Sequence, residues 1–339
     1  MGARLRTVLA AATLLLPTAA LAQESGVKLA IGDFGLGIGD VRRLDGLRLN
    51  FRDDRLELVR GVNATIWTQY EGSRGRVEGL ALGVPLTGAY QIRGIGLGAG
   101  VGAERDFVGL GLGGIGIGAG GDVRGIAVGG VGVGAGGDLE GIMIGGVGAG
   151  AGGDIRGILM GGVGAGASGD MVGIGLGGVG LGVGGDLTGV AIGGVGVGAS
   201  GLVRGLLVGG VGVGAGGGVE GIAIGGVGVG AGDEIRGLAI GGVGVGAPAI
   251  TGVAIGGFGV GGEDVRGLMI APAYFNVTEG GEFHGVSVSA WNRIQGRQHG
   301  LTIGLLNVAD ELHGLQVGVI NIARNKRTFS VLPLFNYSR

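Results

Sequence analysis

The sequence predicts an all-β fold, a repetitive β-solenoid of about eighteen two-strand coils, each fifteen to sixteen residues long. Three observations predict it. First, a sixteen-residue unit recurs, reading D-V-R-G-I-A-V-G-G-V-G-V-G-A-G-G from Asp122 and starting again at Asp138, Asp154 and Asp170. A fixed period of this kind means that each unit buries its apolar residues only against its neighbours. Second, apolar residues alternate at a period of two, as a strand requires. Third, the residue before the repeat glycine forms a column: Asp45, Arg60, Glu78, Arg93, Val108, Arg124, Glu140, Arg156, Val172, Thr188, Arg204, Glu220, Arg236, Thr251 and Arg266. No two neighbours in it carry like charge, which directly stacked strands need.

The segment 1–22 reads as a secretory signal, with Arg4 and Arg6 before the apolar run Val8 to Leu16 and a small-residue cleavage site at Ala20-Leu21-Ala22. That run is too short to span ~30 Å of hydrocarbon. Irregular repeats forming an N-terminal cap are expected over 23–105, regular glycine-rich repeats over 106–267, and an aromatic-rich C-terminal cap over 268–339. Trp67, Tyr70 and Tyr90 lie in the early units, and Phe275, Phe283, Trp291, Phe329, Phe335 and Tyr337 in the late ones. Bulky terminal units are the usual caps of a repeat array.

Within a unit, Ile126 and Val128 share one strand face, and Val131, Val133 and Ala135 follow on the opposite parity after Gly129-Gly130. The expectation is a bend at the double glycine that aims both halves, Ile126 and Val128 with Val131 and Val133, at one core. A two-residue hairpin there would instead give an antiparallel meander closing into a β-barrel. Asn307 and Asn321 fall in the column of Gly132, which predicts a left-handed corner conformation shared by glycine and asparagine.

Composition narrows the function classes. Glycine supplies 94 of 339 residues without a Gly-X-Y period, so the chain is not collagen. Ordered placement of Val, Ile and Leu argues against disorder. A net charge of −2 offers no electrostatic case for nucleic acid. Cysteine is absent, so no disulfide framework exists. Gly111-Leu-Gly-Gly-Ile-Gly116 satisfies a dinucleotide-type glycine pattern but lacks the βαβ context that gives it meaning. No Ser-His-Asp set or carboxylate pair stands out, so enzymatic activity is not expected.

Two columns carry metal-type chemistry. Asp106, Asp122, Asp138, Asp154, Asp170 and Asp186 recur once per unit, a pattern of turn chemistry that a cation such as calcium would also suit. His284, His299 and His313 are the only histidines and precede the repeat glycine in three consecutive units. Stacked ~4.8 Å apart, their rings could converge on a divalent metal, Zn²⁺, Ni²⁺ or Cu²⁺, with Glu282 or Asp310 as a fourth ligand.

The late units read Gly300-Leu-Thr-Ile-Gly-Leu-Leu-Asn307 and Gly314-Leu-Gln-Val-Gly-Val-Ile-Asn321, closing on Pro333-Leu-Phe-Asn336. This resembles bacterial surface-repeat proteins whose units read G-L-Q-x-G-L-x-N, closely over the C-terminal repeats and more loosely through the glycine-rich middle. The resemblance implies an exported, envelope-associated β-repeat protein of the periplasm, outer membrane or cell surface, and brings no catalytic residues with it. The function expected is that of a non-enzymatic structural or interaction element. Its partner is an envelope component or a second copy of itself, and a membrane association, an outer-membrane barrel and a metal-binding surface protein are the alternatives.

Overall fold

Directly stacked coils build the whole molecule. The computed structural model describes residues 26–70 and 74–339, so the signal-like segment 1–22 lies outside the described residues. It is a β-solenoid of about sixteen turns with a repeat of about sixteen residues, and the described residues contain no helix. The coil that begins at Asp122 has a long strand, Val123–Gly129, and a short one, Gly132–Ala135. Long strands pair only with the long strands of adjacent coils, in parallel, with Arg124 beside Glu140 and Glu140 beside Arg156. Short strands do likewise, Val133 beside Ala149. Gly129-Gly130 is therefore a corner between two sheets and not a hairpin turn.

The repeat glycine is fixed by its backbone. From Gly46 to Gly314 this column has φ between 121° and 152°, a region that side chains avoid. A Cβ there would also stand 1.9–2.4 Å from the carbonyl oxygen of the glycine one coil earlier.

The core is not where the apolar triplets point. Val123, Ala127, Val133 and Ala135 are buried, whereas Ile126 is 44% and Val131 51% exposed, and Val128 is only half-buried. This corrects the expectation that Ile126, Val128 and Val131 fill the interior. The reason is parity: residues two apart share a face, so a strand that sends Arg124 to solvent must send Ile126 and Val128 with it. The inward positions are Val123, Ala127 and Gly129 in this coil and Leu139, Met143 and Gly145 in the next.

Both ends turn polar inside. At the N-terminal end Arg48 is fully buried and donates to Asp53, to Asn63 Oδ1 at 2.9 Å and to Asp40 Oδ1 at 3.0 Å. At the C-terminal end the inward column of Val245 and Val260 continues through Phe275 into Asn292. Asn292 Nδ2 donates to Asn307 Oδ1 and Asn307 Nδ2 to Asn321 Oδ1, each at 2.7 Å. These asparagines replace the inward valine, not Gly132, and none of them has a positive φ. The corner loses one residue there: eight residues separate Gly267 from Phe275, but seven separate Gly285 from Asn292. That shift puts a count along the sequence off by one.

Aromatic residues do less capping than expected. Phe275 and Phe283 are buried and meet edge to face at 5.0 Å, but Trp67, Tyr70, Trp291, Phe329, Phe335 and Tyr337 are all exposed. The array ends instead on strands that reverse direction. Gly26–Ile31 runs antiparallel to Phe34–Gly39, and Val331–Ser338 antiparallel to the last coil.

Candidate interaction face and histidine stack

His284, His299 and His313 come together as expected from the register. Their rings stack face to face, with centroids 4.5 Å and 5.1 Å apart and planes tilted by 8° and 11°. Glu282 lies 3.3 Å from His284 Nε2 and also pairs with Arg297 at 2.5 Å. Asp310 instead pairs with Arg324 at 2.9 Å. Parallel rings send their in-plane lone pairs out side by side, while a tetrahedral ion needs nitrogens converging at ~2.0–2.1 Å. Among the described residues no group of three or more His, Asp or Glu side chains is arranged to hold a metal ion. Burial, then the neighbouring His284 and His313 rings, push the His299 pKa below the ordinary 6.5. The bond to His284, then Arg297, holds the Glu282 carboxyl below its usual 4.5.

The aspartate column is explained by backbone chemistry. Asp122 Oδ1 accepts from the Asp138 N–H at 3.0 Å, Asp138 from Asp154 at 2.8 Å, and so on to the Leu202 N–H at Asp186, 2.8 Å. Each carboxylate thus reaches one coil ahead and ties consecutive turns together. Arg124 and Arg156 neutralise the free oxygens of Asp122 and Asp154 at 2.5 and 2.8 Å. Like charges stack because each has its own donor.

The alternating column carries ion pairs between coils: Arg124–Glu140 at 3.4 Å, Arg204–Glu220 at 3.1 Å and Glu220–Arg236 at 3.5 Å. Beside it run the residues whose pattern predicted a place inside. Outward aliphatic residues form columns along the rod, including Ile126, Ile174 and Ile222 in one and Leu112 and Ile192 in the next. Corner residues Val131, Val147, Val163, Val179, Val195, Val211, Val227 and Val243 add a ridge of about 50% exposure at every coil. A shallow groove of about 360 Å³ lies at the double-glycine corner beside Ile144, Met160, Leu176 and Ile192. Separate grooves of about 490 Å³ and 370 Å³ lie in the terminal coils, beside Ile38, Leu49 and Phe51 and beside Ile270, Val288 and Leu305.

Electrostatics and packing therefore mark the long-strand face as the functional candidate. The face turned away from it is bare, since its outward positions are glycines such as Gly132 and Gly134. Comparison with family models, curated proteins and solved structures matches nothing.

Proposed function

We propose that this chain is an exported, non-enzymatic structural or interaction element of a bacterial cell envelope. The observation that carries the reading is the outward aliphatic face, repeated coil after coil along one continuous rod. Contiguous exposed apolar surface on this scale is a feature of proteins that work by contact. The signal-like segment 1–22 and the late G-L-Q-x-G-L-x-N-like units support export and envelope association. Fractionation of a bacterial cell expressing the chain tests it. The mature protein is expected in the envelope or outside the cell, with mass spectrometry placing its first residue at Gln23. An unprocessed chain that stays in the cytosol overturns the reading.

A further inference from the structure

We propose that the aliphatic long-strand face is a self-association surface, on which two copies of the chain pack as an antiparallel two-fold pair centred on Val172. The proposal rests on the reading above and names its partner. Size is the first argument. Eleven coils, from the one containing Gly94 to the one containing Gly252, share this face. At ~4.8 Å per coil and ~3.3 Å per strand residue they present ~53 Å by ~15–20 Å, or ~800–1,000 Å². The largest apolar patch on an ordinary monomer is ~300–600 Å², and a stable interface covers about 800 Å² per partner.

Periodicity is the second argument. The face is ruled at one coil spacing throughout, and a second copy meets it row for row because it carries the same spacing. Two sheets related this way pack face to face at ~10 Å, in the manner of a sandwich.

Charge complementarity narrows the register to two centres, Val172 and Thr188, and packing selects Val172, because a Thr188 axis would set the apolar Val172 against the partner's Arg204. The bordering column reads Arg124, Glu140, Arg156, Val172, Thr188, Arg204, Glu220, Arg236, and its charges are the same in both directions. A two-fold axis perpendicular to the rod reverses one copy and lays this column over its own image. Centred between Val172 and Thr188, that operation sets Arg124 against the partner's Arg236 and Glu140 against the partner's Glu220, which repels. Centred on Val172, it sets Glu140 against the partner's Arg204 and Arg124 against the partner's Glu220. The symmetry doubles each pair. Val172, 49% exposed where the column loses its charge, then meets its own copy on the axis, with Ile174 beside it at 40%. An isologous contact of this kind closes on itself.

Sedimentation of the purified mature chain across the micromolar range tests the pairing, with circular dichroism of every variant alongside. The expected species has twice the chain mass. Glu140→Arg strikes two symmetry-related pairs and weakens dimerisation about tenfold, and combining it with Arg204→Glu restores the dimer. Because the chain has no cysteine, Val172→Cys gives a clean second readout: a short thiol-to-thiol bismaleimide, which spans facing sheets ~10 Å apart where a direct disulfide does not reach, yields a covalent dimer. Gly182→Cys, on the bare face where a Cβ meets nothing within 4 Å, stays monomeric on denaturing gels. Val172→Cys alters only a half-exposed side chain, so it decides the matter even where the charge variants lose their fold. A wild-type chain that is monomeric at all concentrations overturns the proposal, as does a dimer that Gly182→Cys links and Val172→Cys does not. A monomer that floats with phosphatidylcholine vesicles also overturns it, and assigns the face to lipid. A monomeric chain that is nevertheless processed and exported retires the pairing and leaves the broader reading intact. A cytosolic dimer does the reverse.

Discussion

Glycine has two meanings in this chain, and substitutions separate them. At Gly141 φ is +121° and a Cβ would sit 2.0 Å from the Gly125 carbonyl oxygen. Gly141→Ala is expected to cost about 2–4 kcal/mol in denaturant unfolding, since no side chain can move to relieve a backbone clash. At Gly134 a Cβ meets nothing within 4 Å. Gly134→Ala is expected to be neutral or to stabilise by up to about 1 kcal/mol, because it narrows the unfolded ensemble. The glycine column was legible in the sequence as a column, but its cause was not: spacing alone does not reveal a positive φ. The Arg–Glu alternation was legible in full, since unpaired like charges directly opposite on neighbouring strands are destabilising. Arg124 also held the clue to the face beside it, because its own exposure sets the parity of Ile126 and Val128.

At the scale of a single column, the histidine stack gives the rod a pH-sensitive end. His299 binds its proton less readily in the folded chain than in the unfolded one. Below pH 6.5 the unfolded state therefore takes up more protons, and stability falls as pH drops from 6.5 through the lowered folded value. Glu282 acts in a lower window, since its folded pKa is depressed too: its contribution is full above 4.5 and fades as pH falls through the folded value. His299→Gln should flatten the change in unfolding free energy between pH 7.5 and pH 5.5, by well under about 1 kcal/mol given solvent screening. An unchanged pH profile in that variant would remove the stack from the account. The histidine register was readable from sequence; the ring orientation, which decides between a stack and a chelate, was not. The aspartate column offers a companion test. Asp138→Ala removes the acceptor of the Asp154 N–H and should cost about 1 kcal/mol, while Asp138→Asn keeps an acceptor and should cost less.

For the molecule as a whole, nearest-neighbour contacts set what can be removed. Deleting Asp138 to Gly153 excises one full coil, and the flanking columns rejoin in register: Arg124 then neighbours Arg156, a like-charge contact of modest cost. The shortened chain should fold with a cooperative melt. Deleting eight residues from the same place puts corner against strand and should leave no cooperative transition. Parallel stacking of identical units was legible because the period was constant over the middle of the chain. The ends resisted, for a physical reason. Where the corner shortens by one residue, counting from the repeat glycine no longer finds the inward position, and Asn307 and Asn321 fall in the wrong column. Arg48 escaped notice for a related reason, since burying a guanidinium needs Asp40, Asp53 and Asn63 converging from three segments.

The stacking of coils along one axis also dictates how the rod answers to force. Backbone bonds between coils run along the axis, so traction applied at the two termini loads the joints in series, and the weakest joint opens alone. A coil that peels away frees sixteen residues, whose taut length of ~53–58 Å replaces ~4.8 Å of rod. Extension in an optical trap should therefore advance through the middle of the molecule in steps of ~50 Å, each a single coil leaving the stack.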